Sequence, residues 1–326
     1  MSDLLRLRGK NFVIIGRAGM DFYPEPPGTK TEHATHFFSC LGGSSANIGV
    51  ALVKLGGKAD LVTCVSDDAI GRFALNELDR YGVGRAHVRS VGGEARNSLA
   101  VVETTIEDHQ SVIYRNGAAD FEMNFADVEA VDYAGYSGLI TTGTVFAAEP
   151  SRSAAFRGFE LARAAGLPLI FDIDYRPYSW PSPEVASEVY SRAGAMCDVI
   201  VGNDVEFGFM AGDYDRGLDK ARELVTNGAQ IAVYKMGEKG AITITGDGEI
   251  TTGIFPTDAL KPTGAGDSFM GGFVSGLADG QSVGDAVLRG SAAAAMVVAR
   301  VGCAPAMPTR EELDAFLRDH SGPSAA

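Results

Sequence analysis

The chain has 326 residues, of which 45% are hydrophobic and 21% are charged, as in an ordinary globular protein and unlike a disordered one. Its 42 acidic and 28 basic residues give a net charge of -14, which disfavours binding to nucleic acid or to an anionic membrane. No stretch is apolar and long enough to cross a bilayer or to form a signal-peptide core, so we expect a cytoplasmic protein.

The first part of the chain mixes helices with strands of two kinds. Apolar runs and glycine stops predict buried strands at 11–16 and 59–65 and helices at 44–55 and 73–81. Residues 99–105 and 111–114 read as a hairpin around a polar turn. The segments at about 17–40 and 96–120 lie outside any strand–helix alternation. We therefore expect them to pair into a small lid over the edge of the main sheet.

From residue 136 onward, strands and helices alternate. Strands are predicted at 138–141, 167–171, 199–201, 231–234 and 241–245, and helices at 151–165, 184–195, 267–277, 283–301 and 310–317. This alternation predicts an α/β fold with a mostly parallel sheet that helices cover on both faces. We expect one domain over residues 1–326.

The motif with the clearest chemistry is Lys261-Pro-Thr-Gly-Ala-Gly-Asp-Ser-Phe-Met-Gly-Gly-Phe273. Its small residues Gly264, Ala265 and Gly266 precede an apolar helix, so their backbone amides can converge on an anion at the helix N-terminus. Asp267, in the first turn, can take a proton from an attacking hydroxyl beside that anion. The alternative is that Asp267 only caps the helix.

Four further motifs suggest binding roles, each with a structural alternative. In Leu41–Gly49, Gly42 and Gly43 allow close backbone approach and Asn47 suits sugar hydroxyls, although an ordinary loop-to-helix turn fits too. Arg176, in a segment that follows a strand, could clamp a carboxylate or phosphate, or pair with Asp172 or Asp174.

The other two motifs also follow strands. Asn203 and Glu206 could hold the water ligands of Mg²⁺ or a phosphate tail, or simply cap a helix. Lys235, Gly237 and Gly240 outline a glycine turn that could approach a nucleotide, although a plain β-turn explains it as well.

The order of these motifs resembles that of the ribokinase-like (PfkB) carbohydrate kinases. Gly42, Gly43 and Asn47, with Gly56, Asp68 and Gly71 downstream, resemble the first signature of the family, and residues 261–273 resemble the second. The similarity covers roughly residues 10–318. It implies a Rossmann-like sheet with a β lid, and ATP and Mg²⁺ as cofactors.

The resemblance also implies roles for individual residues. Asp267 would be the catalytic base, with Gly264, Ala265 and Gly266 forming the oxyanion hole. Asp21 matches a residue that accepts a substrate hydroxyl, and Glu206 would act on the metal through water. Asn203, Lys235, Gly237, Gly240 and Thr263 would bind the nucleotide. Many relatives carry Asp at the position of Lys261. A lysine there would put a cation near the phosphates. It also makes doubtful the monovalent-cation site that some relatives have.

The expected class of substrate is inferred from two arginines. The runs Ile113-Tyr-Arg115 and Asp174-Tyr-Arg176 resemble those of acid-sugar kinases, in which two arginines hold the substrate carboxylate. Arg17, near Asp21, is not typical of ribokinases. The resemblance is greatest to the kinases of inositol breakdown that phosphorylate a primary hydroxyl of 5-dehydro-2-deoxy-D-gluconate. The alternatives are 2-keto-3-deoxygluconate and a neutral sugar such as fructose or ribose.

Other protein classes fit the sequence less well. The chain has no GxGxxG after its first strand, as an NAD-dependent dehydrogenase would, and no GxxxxGK[ST] of a P-loop enzyme. A catalytically silent sugar-binding relative stays open, although Asp267 is retained. By family analogy we expect a homodimer through the open strand edges of the lid.

Overall fold

Two sheets organise the protein in the computed structural model, which describes residues 4–320 and 322–323. The predicted domain also included residues 1–3, 321 and 324–326, which lie outside the described residues. The strands are β1 Asn11–Ile15, β2 Gly19–Glu25, β3 His36–Gly42, β4 Lys58–Ser66, β5 Gly84–Val91, β6 Leu99–Val102, β7 Ser111–Tyr114, β8 Gly138–Thr142, β9 Leu169–Asp172, β10 Val199–Asn203, β11 Ile231–Lys235, β12 Ala241–Thr245 and β13 Gly248–Thr252.

Helices flank the larger sheet. They are α1 Ser44–Lys54, α2 Ala69–Tyr81, α3 Phe125–Glu129, α4 Ser151–Ala164, α5 Pro183–Met196, α6 Asp204–Ala211, α7 Gly217–Thr226, α8 Ala265–Ala278, α9 Val283–Val298 and α10 Arg310–Asp319. One large cluster of buried side chains packs on each face of the sheet. No helix in the described ranges is both long and apolar enough to cross a membrane.

The larger sheet has the strand order β13-β12-β11-β10-β9-β8-β1-β4-β5. Its strands pair in parallel from β11 to β5, and β12 and β13 extend one edge as antiparallel strands. The carboxyl ends of the parallel strands therefore meet along one edge. Open α/β sheets bind their ligands at this edge.

The second sheet has the order β3-β2-β6-β7, with β2 and β6 parallel and the outer pairs antiparallel. Its strands fall in the two segments predicted to form a lid. Side chains on one face alternate with those on the other. One face carries Asp21, Ala100 and Ile113, and the opposite face carries Phe22, Phe37, Leu99, Val101, Val112 and Tyr114.

The predicted α/β architecture is confirmed, but several elements were not predicted from the sequence. These are β5, β13, α3, α6 and α7. Strand β5 is an edge strand, Gly84-Arg-Ala-His-Val-Arg-Ser-Val91, whose side chains are mostly exposed or half-buried. Because an edge strand with one wet face needs no apolar run, periodicity gives it little signal.

Candidate active site

A cavity of about 670 Å³ lies at the carboxyl ends of the parallel strands, between the two sheets. The second sheet contributes Asp21, Ala100, Val102, Ser111 and Ile113 to its walls. Of the predicted site residues, the cavity is lined by Arg17, Asp21, Gly43, Asn47, Arg176, Asn203, Glu206, Lys235, Gly237, Gly240, Thr263, Gly264, Ala265, Gly266 and Asp267. Gly42, Arg115 and Lys261 do not line it.

The start of helix α8 forms one wall of this cavity. Gly264 is the N-cap of α8 with φ 87°, a left-handed conformation that favours glycine. A Cβ at this position would also lie 2.8 Å from the sulfur of Cys303. The amides of Gly266 and Asp267 lie in the first turn, where backbone N–H groups have no partner within the helix. The turn can therefore bind an anion in the cavity.

Asp267 lies in the same first turn and is half-buried. Burial raises the pKa of its carboxyl to about 7, and the negative charge of Asp174 acts in the same direction. A hydrogen bond from Asn47 and the charges of Arg176 and Arg17 oppose this rise. A carboxylate whose pKa lies near neutrality is suited to accept a proton at neutral pH.

Asn47 joins helix α1 to this base. Its Nδ2 donates to Oδ2 of Asp267 over 2.8 Å, and its side chain is buried. The amide oxygen of Asn47 is buried with no hydrogen-bond partner. Because a buried acceptor without a partner is unfavourable, this oxygen can accept a bond from a ligand hydroxyl.

Asp21 lies on the cavity face of β2. Burial raises the pKa of its carboxyl to about 6, while the charges of Arg17 and Lys261 oppose the rise. Gly42, on the neighbouring strand β3, makes room for the carboxylate, because a Cβ there would lie 1.9 Å from Oδ1 of Asp21. Gly42, predicted to bind substrate, thus shapes the site through Asp21. Gly43, at φ 93°, precedes α1 and lines the cavity itself.

Two arginines line the same part of the cavity. Nη1 of Arg17 donates to Oγ of Ser98 over 3.1 Å, and the Arg17 Nε has no partner. Nη2 of Arg176 lies 2.6 Å from Oδ1 of Asp174, so the ion pair given as an alternative is present. Asp174 has φ 39°, a strained conformation for a residue with a side chain, and its Oδ2 is buried without a partner.

Arg115 is not brought to the cavity, contrary to the expectation of a clamp with Arg176. It is buried, forms an ion pair with Asp120 and donates to the backbone oxygen of Thr144 over 2.9 Å. Its guanidinium lies 4.1 Å from the ring centroid of Phe121. Strand β7 ends at Tyr114, so Arg115 does not continue the alternation that points Ile113 into the cavity.

Asn203 and Glu206 begin helix α6 at the end of β10. They form a capping box: Oδ1 of Asn203 accepts from the Glu206 amide over 2.8 Å, and Oε2 of Glu206 accepts from the Asn203 amide over 2.7 Å. The capping role and a place in the cavity wall therefore coincide. Burial raises the pKa of Glu206 and raises that of neighbouring Asp172 well above its usual value. Among the described residues no group of three or more His, Cys, Asp or Glu is arranged to hold a metal ion.

The two predicted lysines have different positions. Lys235, at the end of β11, lines the cavity, and its Nζ would lie 3.8 Å from a Cβ built on Gly266. Its ammonium group therefore lies beside the anion-binding turn. Lys261 is fully buried behind the turn and does not line the cavity. The expectation that Lys261 puts a cation near the phosphates stays a prediction, with the anion-binding turn between the ammonium group and the cavity.

The cavity also has lining residues that were not predicted. They include Tyr178, which interacts electrostatically with Arg176 and Arg17, and the residues Ile254, Val287, Ser291 and Ala294. The last three lie on one side of α9 at helical spacing. Their small size in an otherwise ordinary helix was the only available signal, and it does not distinguish a cavity wall from close helix packing.

Comparisons with known proteins show the family of the chain. Residues 10–310 match the pfkB family carbohydrate kinases. The chain is 36% identical over 311 residues to the 5-dehydro-2-deoxygluconokinase of Photobacterium profundum, covering 94% of each chain, and 35% identical over 321 residues to that of Geobacillus kaustophilus, covering 97% and 96%. The aminoimidazole riboside kinase of Salmonella enterica, solved with its riboside and an ATP analog, superposes with a TM-score of 0.80 at 26% identity, covering 94% and 99%. The chain belongs to the pfkB family of carbohydrate kinases.

Proposed function

We propose that this kinase transfers the γ-phosphoryl group of ATP to a primary hydroxyl of a sugar acid. The first substrate to test is 5-dehydro-2-deoxy-D-gluconate, which the names of the relatives above indicate. The observation that carries the proposal is Asp267, whose raised pKa and position in the first turn of α8 join a base to an anion-binding turn.

The cavity has two ends with different chemistry, which supports a separate location for each substrate. Asp21, Asn47, Arg17 and Arg176 surround the polar end and suit a sugar acid. At the other end the residues are small or apolar and include glycines that permit close approach, which suits a nucleotide. These are Gly237, Gly240, Ile254, Val287, Ser291 and Ala294. We propose that Asp267 and the turn act between the sites of the two substrates.

The transfer then follows from these positions. The Asp267 carboxylate accepts the hydroxyl proton as the sugar oxygen forms its bond to the γ-phosphorus and the bond to the ADP oxygen breaks. The amides of the 264–266 turn and the Lys235 ammonium stabilise the charge on the transferred group. Bound Mg²⁺ would neutralise phosphate charge; Glu206, acting through water, and Asp174, whose Oδ2 lacks a partner, offer oxygens suited to it.

We propose that Arg17 and Arg176 form the carboxylate clamp, with Arg17 in place of Arg115. Both guanidinium groups lower the pKa of Asp267, so both are near enough to act on the reacting centre. A carboxylate held by two guanidinium groups makes charge-assisted hydrogen bonds, which a neutral sugar cannot replace. The clamp would favour acid sugars over fructose or ribose.

The second sheet is proposed to act as the lid of a single ribokinase-like domain. It supplies one cavity wall, and the β6–β7 connection reaches the anion-binding turn, where Nε2 of His109 lies 3.5 Å from Oγ1 of Thr263. A lid in this place would exclude water, which otherwise could accept the phosphoryl group.

The outer face of the second sheet supports a homodimer. Phe37, Val112 and Tyr114 are exposed there, next to Phe22, Leu99 and Val101 on the same face. A contiguous apolar sheet face of this kind is typical of an interface with another protein chain. A second copy of the chain is the partner we propose.

The test is release of ADP from ATP and Mg²⁺ with a panel of acceptors: 5-dehydro-2-deoxygluconate, 2-keto-3-deoxygluconate, fructose and ribose. We expect the largest kcat/KM with the first. A preference for 2-keto-3-deoxygluconate would keep the clamp and change the substrate, and turnover of neutral sugars alone would contradict the clamp. Sugar binding without any turnover would contradict the kinase proposal.

A further inference from the structure

Lys261 is among the largest fully buried side chains, although an ammonium group is unfavourable in a protein interior unless it is paired or solvated. Its Nζ donates to the backbone oxygen of Thr263 over 2.5 Å and to that of Val297 over 3.4 Å. Among the described residues, no carboxylate lies within ion-pairing distance of this group. The ammonium is therefore held by backbone carbonyl oxygens.

Both carbonyl groups belong to elements that fix the anion-binding turn. Thr263 immediately precedes Gly264, and Val297 lies in the last turn of α9, whose carbonyl groups carry partial negative charge. Gly264 packs against the same residue, because a Cβ there would lie 3.1 Å from Cγ1 of Val297. The Lys261 ammonium thus joins the carbonyl end of α9 to the peptide that leads into the turn.

Other charged or titratable groups around Lys261 come from two strands, a helix and a loop. They are Asp21 on β2, Cys40 on β3, Asp267 on α8 and Cys303 in the loop after α9. Burial lowers the pKa of Lys261, and these four groups oppose that change. The ammonium also lowers the pKa of Asp21, so its charge reaches the sugar end of the cavity.

A cation coordinated by backbone oxygens beneath an anion-binding turn is the arrangement in which a free monovalent ion would also be stable. Here the cation is covalently attached to the chain, so it is present at every ionic composition. We propose, on the basis of the kinase function above, that Lys261 is a positioning residue: its ammonium takes the place of a bound monovalent cation and holds the 264–266 turn ready for the transferred phosphoryl group.

The test compares phosphoryl transfer in chlorides of K⁺, Na⁺, NH₄⁺ and tetramethylammonium at one ionic strength. The rates of the unmodified kinase in the four salts should agree within about twofold, since no free cation binds at the site. Lys261→Ala should lower kcat by about 100-fold in tetramethylammonium, as expected when donors to the transferred group are displaced. Addition of NH₄⁺ or K⁺ should restore activity to Lys261→Ala by about tenfold, because the two carbonyl groups again find a cation.

Lys54 provides a matched control. Its Nζ also donates only to backbone oxygens, those of Ala304, Pro305 and Met307, but none of these oxygens belongs to α9 or to the residues that lead into the 264–266 turn. Lys54→Ala should leave the rate in every salt unchanged. An equal response of Lys54→Ala and Lys261→Ala to NH₄⁺ would contradict a specific role for Lys261.

Two further results would overturn the proposal: strong stimulation of the unmodified kinase by one cation, or a folded Lys261→Ala that no cation stimulates. If Lys261→Ala does not fold, Lys261→Met preserves the side-chain volume and should show the same loss without rescue; full activity of Lys261→Met would overturn the proposal. If the unmodified kinase phosphorylates no sugar acid, the substrate proposal fails separately, and the salts are compared with the sugar that it does accept.

Discussion

Asn47 and Asp267 are 220 residues apart in the chain, yet Nδ2 of Asn47 lies 2.8 Å from Oδ2 of Asp267. Each residue lies in the first turns of a helix that follows a glycine, and α1 packs against α8. The amide holds the carboxylate toward the cavity and stabilises its ionised form. One hydrogen bond thus sets both the direction and the basicity of the proposed base.

The first prediction concerns the base. Asp267→Asn preserves the shape of the side chain but cannot accept the hydroxyl proton, so kcat should fall by about 10²- to 10⁴-fold. The KM for ATP should change little, because the anion-binding amides are unaltered. Steady-state kinetics on the preferred sugar checks both values, and full activity of the variant would exclude Asp267 as the base.

The second prediction concerns pH. Since Asp267 must be ionised to act and its pKa is raised to about 7, kcat/KM should rise with pH through a limb near neutrality. Asn47→Ala removes the hydrogen bond that favours the ionised form, so its limb should lie at higher pH. A pH–rate profile in which Asn47→Ala lowers the rate but leaves the limb unmoved would contradict this coupling.

The same raised pKa predicts a change in stability. Because the folded protein binds a proton at Asp267 more tightly than the unfolded chain does, this contribution is complete below the unfolded pKa and is lost as pH rises through about 7. Relative to the unmodified protein, Asp267→Asn should therefore gain Tm as the pH rises from about 4 to about 7, because the pKa values of Asp267 in the unfolded chain and in the folded protein bound this window. Thermal unfolding across this range checks the sign; a constant difference would contradict it.

The fourth prediction separates the three arginines. Arg17→Ala and Arg176→Ala should each raise KM for the sugar acid by about 10- to 100-fold, since each removes a charge-assisted bond to the carboxylate. Arg115→Ala should instead lower stability by about 3–5 kcal/mol, because it leaves buried Asp120 without its partner. A large KM effect in Arg115→Ala that remains at a temperature where the variant is folded would restore Arg115 to the clamp.

The fifth prediction uses a close backbone approach. Gly42→Ala would bring a Cβ to 1.9 Å from Oδ1 of Asp21 and must displace that carboxylate. We expect kcat/KM for the sugar to fall by about 10- to 100-fold, as misplaced contacts to a substrate do. Gly92→Ala is the control, since no atom lies within 4 Å of a Cβ there. Equal effects of the two changes would argue against a role for Asp21.

Particular residues show how much of the site could be predicted from the sequence. Asp267, Asn47 and Asp21 line one cavity, and the sequence could single them out because each follows glycines or a strand at a sheet edge, where geometry is regular. Arg115 and Lys261 do not line the cavity, and no sequence pattern indicated this because both lie in irregular segments just outside an element. In such segments no hydrophobic periodicity predicts the direction of a side chain.

The residues that were missed show the same limit. Asp174 was named only as an ion-pair partner of Arg176, and no residue pattern predicted its place in the cavity wall or its φ of 39°. Tyr178 follows it in a short 3₁₀ turn at Pro177–Ser179. Conversely, the amphipathic α7 and the edge strand β5 were overlooked without consequence for the site, since neither contributes to the cavity wall.

The most direct test of the central claim is transfer of the γ-phosphoryl group from ATP to 5-dehydro-2-deoxygluconate, measured side by side for the unmodified kinase and Asp267→Asn. The account predicts formation of the phosphorylated sugar acid with the unmodified kinase and its near-complete loss in the variant. Equal product formation by both proteins, or ADP release without phosphorylated sugar, would contradict it.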